Sequence, residues 1–334
     1  MPSFVFFDSF TTAQTLAGGE FGFIGASGSL EVTGTAVLSS GPALLSVYGT
    51  LSGTDRAVAH SGGEFLLNVG EDARIASDGA FDTVGATGVT RAFVATAGEL
   101  ESGSDALDVR GTGPIVIRNT GSIVGVSDGI VTSAAGSNVR IVNFGTVTGS
   151  DGGIDHLSGD SLLVNRGTID GSAGSYGFDG GGGDDEVRNS GSIQGGVDIE
   201  DGDDTIINGG DIDFIVLGTG DDSYEGRARG SAGRVDGGEG RDTLIGSRAN
   251  DVFLGGLGAD RFVLDRNGGT DRILDFAGQD RIDLRALEFA RFAAVRSEIV
   301  DRPNGVLVDL SDDGLRILLR GVDKADLAAG DFIL

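Results

Sequence analysis

A phrase of the form Gly-[Ser/Thr]-apolar-x-Gly, with an asparagine two residues before its first glycine, returns at Asn119–Gly125, Asn143–Gly149, Asn165–Gly171 and Asn189–Gly195, in steps of 24, 22 and 24 residues. Weaker copies at Gly28, Gly49, Gly70 and Gly98 extend the series upstream. A unit this short has no room for a helix crossing between parallel strands. Inside it the apolar residues alternate (Ile115 and Ile117, Val139 and Ile141, Leu162 and Val164) and glycine or Asn-x-Gly separates the runs, the signature of short strands. About three strands and three corners per unit fit one coil of a parallel β-helix, whose coils stack at roughly 4.8 Å and bury a shared apolar column. Asparagine and glycine suit the corners because they accept left-handed backbone angles at low cost, and asparagines in register can hydrogen-bond from coil to coil.

A second period begins near residue 180. Gly180–Val187, Gly237–Leu244 and Gly255–Phe262 all fit G-G-x-G-x-D-x-U, where U is a large apolar residue. Partial copies end in Asp204-Thr-Ile206, Asp222-Ser-Tyr224 and Asp251-Val-Phe253. The sixth-position aspartates Asp185, Asp204, Asp222, Asp242 and Asp260 are 18 to 20 residues apart, and Asp251 lies midway between the last two.

These nonapeptides resemble the repeats-in-toxin (RTX) calcium-binding family, and the resemblance implies a parallel β-roll. Six residues of each repeat would turn and three form a strand, two repeats making one coil of about 18 residues. Asp185, Asp204, Asp222, Asp242 and Asp260 would then line one edge of the roll. Carboxylates stacked at about 5 Å repel by roughly 3 kcal/mol per pair at an effective dielectric of about 20. A divalent cation between successive loops reverses that sign. Calcium, which takes six to eight oxygens in flexible geometry, fits better than magnesium, and glycine turns can aim carbonyls at it. The implied ligand set is Asp185, Asp204, Asp222, Asp242 and Asp260 with turn glycines Gly180, Gly183, Gly202, Gly220, Gly237, Gly240, Gly255 and Gly258, holding four ions. Gly246 and Asp251, facing the stretch Asp265–Asp271, would hold a fifth. Further back on that second edge, Gly230–Val235 departs from the pattern, reading valine where aspartate is expected.

The expected fold is therefore all-β: a parallel β-solenoid in which an adhesin-like β-helix over 21–175 follows a cap segment at 1–20 and runs into the RTX roll at 176–270. A small α+β cap at 271–334 would carry a helix over Leu284–Val295 and two strands about the Ser311–Gly314 turn. Asp271–Leu284 is similar to the segment closing RTX rolls in secreted metalloproteases, and the ending Asp331-Phe-Ile-Leu334 looks like an uncleaved type I secretion signal. The N-terminal MPSFVFFDSF lacks a basic start and does not read as a Sec signal; its phenylalanines read as a coil cap.

Composition decides among functions. With 51 acidic against 24 basic residues the net charge is −27, which disfavours nucleic acid and anionic membrane as partners and favours cations. The absence of cysteine removes thiol catalysis and thiolate metal sites. No apolar run approaches the roughly 18 residues of a membrane span. With only two histidines, His60 and His156, which read as turn or surface residues, and one lysine, few groups remain for base catalysis. The expectation is a secreted or cell-surface calcium protein, exported by the type I machinery, whose β-helix is structural or adhesive and touches a surface or a polysaccharide. The alternative is a polyuronate lyase or epimerase with an RTX tail, for which Tyr176–Asp179 and Asp155-His156 are the relevant residues.

Overall fold

The computed structural model describes residues 2–134, 138–174 and 176–334. Ser175, the expected last residue of the β-helix, lies outside the described residues. The chain forms two compact units, Met1–Gly182 with Ser192–Gly196, and Gly183–Gly191 with Val197–Leu334. Both are parallel β-solenoids, and no helix among the described residues is long and apolar enough to cross a membrane.

The coils of the first unit stack in three parallel ladders, and in two coils a single long strand, Val58–Val69 or Val84–Thr96, runs through two of them. Period-two alternation turns every second side chain inward, and register stacks like on like. One ladder buries Leu30, Leu51, Ile75, Leu100, Ile123, Val147, Ile169 and Ile193 as a single column. A second buries Val37, Val58, Val84, Leu107, Ile130, Ile154 and Phe178. The third changes chemistry along its length: Ile24, Val47 and Val69 give way to Thr96 and then to Asn119, Asn143 and Asn165. These asparagines are fully buried and form the hydrogen-bonded ladder expected of them. Asn119 Nδ2 donates to Asn143 Oδ1 and Asn143 Nδ2 to Asn165 Oδ1, both at 2.9 Å, while each Oδ1 also accepts the N–H of the glycine two residues on.

The histidines are not at turns or on the surface. His156 is wholly buried in strand Gly152–His156, its Nδ1 paired with Thr132 Oγ1 at 3.0 Å and its Nε2 with the Gly159 carbonyl at 2.7 Å. His60, also buried, bonds Ser39 Oγ and stacks on Phe65. Both alternate inward with their strands. Burial lowers the pKa of each, favouring the neutral ring.

In the second unit one column runs Val187, Ile206, Tyr224, Leu244, Phe262, Ile282, Phe332 and another Val197, Ile215, Val235, Phe253, Ile273, Leu319. Both columns end in strands of the cap: Leu315–Arg320 lies parallel to Gly269–Ile273, and Phe332–Ile333 pairs with Ile282–Asp283. Gly305–Leu310 pairs antiparallel with Leu315–Arg320 across the Ser311–Gly314 turn. The helix expected over Leu284–Val295 is broken. A 3₁₀ turn, Arg285–Leu287, stops where Glu288 turns left-handed (φ 58°); after an extended Arg291, a short α-helix covers Phe292–Ser297.

Candidate metal-binding edge

Along one edge of the roll, each sixth-position aspartate from Asp204 onward accepts a hydrogen bond from the backbone of its counterpart one coil earlier. Asp185 N–H donates to Asp204 Oδ1 (2.6 Å), Asp204 to Asp222 (2.8 Å), Asp222 to Asp242 (2.9 Å) and Asp242 to Asp260 (3.0 Å). All five side chains are nearly inaccessible to solvent. The ladder gains a member that the repeat pattern omits, since Asp260 N–H donates to Asp280 Oδ1 at 3.1 Å. Its step of 20 residues from Asp260 is the signal that would have found it.

The second oxygen of these carboxylates has a different fate. The Oδ2 atoms of Asp204, Asp222, Asp242 and Asp260 are buried and accept no hydrogen bond. That of Asp280 takes the Ala277 N–H at 2.9 Å. A buried anionic oxygen without a donor costs several kcal/mol unless a cation or a proton meets it. Accordingly burial, opposed only in part by the backbone hydrogen bonds, raises the pKa of Asp204 to about 8, Asp222 to about 6 and Asp242 to about 7, with neighbouring carboxylates adding to the shift. Asp260 moves in the same direction.

Glycine makes this packing feasible. The fourth-position residues Gly202, Gly220, Gly240 and Gly258 sit at φ between 139° and 150°, each facing the carbonyl of the fourth-position glycine one coil earlier, so close that a Cβ would overlap it. Gly183 opens that series with φ 134°. At the first position a Cβ on Gly237 would lie 2.5 Å from Asp242 Oδ2, and one on Gly255 the same distance from Asp260 Oδ2. Side chains there would fill the space beside the donorless oxygens. Gly180 belongs to the first unit, where it is buried just after strand Tyr176–Asp179.

The opposite edge holds one pair. Asp251 N–H donates to Asp271 Oδ1 at 3.0 Å, and Asp271 Oδ2 is again buried without a donor, with burial raising the pKa of Asp271 to about 7. Gly246 lies beside both carboxylates. Val235 does not stand at the aspartate position of this edge: it pairs with Phe253, two residues beyond Asp251, because the register follows the buried apolar column. A second, exposed ladder escaped the sequence reading. The fifth-position carboxylates Asp184, Asp203 and Asp221 accept the backbone N–H of Asp203, Asp221 and Arg241. In the β-helix, Asp82, Asp105 and Asp108 bring carboxylate oxygens within 4.8 Å of one another, but Arg56 and Arg110 already pair with two of them.

Two further carboxylate contacts finish the roll. Asp275 Oδ1 and Oδ2 accept the N–H groups of Gly255 and Gly256, at 3.0 and 2.9 Å, where another coil would supply backbone carbonyls.

Residues 230–266 match the model of the RTX calcium-binding nonapeptide repeat, in four copies. This is a chain with RTX repeats. Calcium is the cation such repeats bind, and the donor set fits it: hard, anionic oxygens lacking donors, beside turns too close-packed for any residue but glycine. The match spans the coils around Asp242, Asp251 and Asp260; the ladder carries the same arrangement back to Asp204. No curated protein matches the chain.

Proposed function

We propose that the RTX roll is a calcium-triggered folding module of an exported protein, and that the β-helix is its structural, adhesive part. The observation that carries this reading is the column of buried aspartate oxygens without donors. Asp185, Asp204, Asp222, Asp242 and Asp260, with carbonyls from Gly183, Gly202, Gly220, Gly237, Gly240, Gly255 and Gly258, would hold four ions; Asp251, Asp271 and Gly246 would hold a fifth. Calcium supplies positive charge and oxygen coordination there. At Asp204, Asp222, Asp242, Asp260 and Asp271 the chain's own part is to present one oxygen of the carboxylate while the other is spent on the adjacent coil; Asp251 is oriented by Ser247, which donates to both of its oxygens.

In a cell interior poor in calcium, the repulsion and desolvation of these aspartates oppose folding, which suits passage through a type I secretion channel. Outside, millimolar calcium matches the 10⁻⁴–10⁻³ M affinities typical of extracellular modules, so binding adds directly to folding free energy. The terminal Phe332–Ile333 strand, buried against the roll at Phe332, serves in this reading as secretion signal before folding and as cap after it. Against a polyuronate lyase or epimerase stands His156, the base such an enzyme would draw on, whose ring is sealed in the coil with both nitrogens bonded. Circular dichroism and calorimetry in chelator and then in millimolar calcium test the proposal: a gain of β signal with uptake of four to five ions supports it, and no uptake rejects it.

A further inference from the structure

The first unit contains seven arginines and no lysine. Four are ion-paired: Arg56 with Asp82, Arg74 with Glu99 and Glu101, Arg91 with Glu64, and Arg110 with Asp108. The other three, Arg118, Arg140 and Arg166, have no carboxylate partner among the described residues, in a chain where acids outnumber bases two to one. They are exposed and lie on three successive coils, Arg118 and Arg140 within strands of one ladder and Arg166 just after the strand Ser161–Asn165. Register places Arg140 between Val116 and Leu162 on the outward face, and Arg118 beside Val142. The guanidinium carbons of Arg118 and Arg166 lie 5.2 and 5.3 Å from the centre of the Phe144 ring, which is itself exposed. Cation–π attraction holds both groups at that ring while their N–H donors remain available.

The surroundings point to an extended partner. The outward positions of these three strands carry arginine and aliphatic side chains and no acid. The column containing Arg140 continues upstream as Val116, Phe93, Leu66, Leu44 and Phe21, the last four exposed at 36–41%. An apolar stripe of that length on a soluble face marks a contact surface.

We propose that this face binds a linear carboxylated polysaccharide lying along the coils, its carboxylates on Arg118, Arg140 and Arg166 and its sugar rings on Phe144 and the aliphatic stripe. Guanidinium forks match carboxylates bidentately. Coils rise by roughly 4.8 Å, close to the length of one 1,4-linked sugar, and the arginines are staggered across successive coils rather than stacked in one column, so successive carboxylates reach them from either side of the sugar chain. The negative charge elsewhere is screened beyond about 8 Å at physiological ionic strength. The proposal rests on the reading of the β-helix as the contact part of the molecule and is independent of the ion sites.

Affinity electrophoresis of the full chain in calcium, through gels containing carboxymethylcellulose or neutral hydroxyethylcellulose, is the test. Retardation by the carboxylated polymer alone is expected, with binding at least tenfold weaker in the Arg118→Ala/Arg166→Ala double variant. Arg140→Ala, which has no ring contact to lose, should weaken binding without touching the fold. Arg118→Lys/Arg166→Lys, keeping charge but losing the fork, should fall between. Equal retardation of wild type and the alanine variants, equal retardation by the neutral polymer, or equal competition by polyglutamate would each overturn the proposal, the last by assigning the face to an acidic polypeptide. All variants should retain the wild-type calcium titration; a wild type that ignores calcium yet is retarded would sink the folding-module reading and leave this one standing.

Discussion

Asp204, Asp222, Asp242 and Asp260 each divide their oxygens between two tasks, one accepting a backbone N–H from the preceding coil and the other left for a cation. Asparagine at Asp242 keeps an acceptor for the Asp222 N–H but removes the charge. Titration calorimetry of Asp242→Asn should therefore show weaker calcium binding, by about tenfold per affected site or about 1.4 kcal/mol, with the calcium-saturated fold retained. Asp280→Asn should leave the ion affinity nearly unchanged, because both Asp280 oxygens are already occupied by backbone donors. In the β-helix, Asn143→Ala deprives buried groups on both adjoining coils of partners and should lower stability by about 2 kcal/mol in denaturant titration. Asn143 and Asp242 were legible in sequence because a repeat fixes their position in the coil. Asp280 was not read, since the glycine pattern around it is gone and only its step of 20 residues from Asp260 marks it.

Strands in this molecule are held by columns, so a defect in one coil is felt by those above and below. Phe262 touches the rings of Phe253 and Phe276 with centroids at 6.1 and 6.2 Å, and Phe262→Ala should cost about 3–5 kcal/mol, read as a lower melting temperature in saturating calcium. The aspartate column gives the roll an unusual pH dependence. Its carboxyl groups titrate in the fold at about 6 to 8 but from an ordinary value of 3.8, so the folded form binds more protons than the unfolded form across that window. Stability without calcium must then fall as pH rises through it. In chelator, β signal should grow as pH is lowered from about 8 to about 5, whereas calcium affinity should drop over the same descent, protons and ions competing for the same oxygens. Coil period and strand alternation made these elements readable in advance. The broken helix after Leu284 and the placement of Val235 were not, because one turns on the left-handed Glu288 and the other on core register overriding repeat spacing.

At the scale of the whole molecule, the two solenoids depend on different forces. The first unit is filled by apolar and asparagine columns and pairs most of its arginines, so chelation should leave its β signal in place. The RTX roll should respond strongly, each site adding about 2.7 kcal/mol when free calcium is a hundredfold above its dissociation constant. A thermal scan with and without chelator should show one transition that moves and one that does not. The β-helix was legible from spacing and the roll from the resemblance of its nonapeptides, while the unpaired arginines around Phe144 were invisible in sequence, because nothing in the order of residues says which charges lack partners. The carboxylates of Asp275 and Asp280 have a wider consequence. A wound ribbon has a raw rim of amide donors, against which the turns of another molecule could dock and propagate a fibre. By occupying those donors with its own side chains, the protein plugs that rim and stops the winding from recruiting its neighbours.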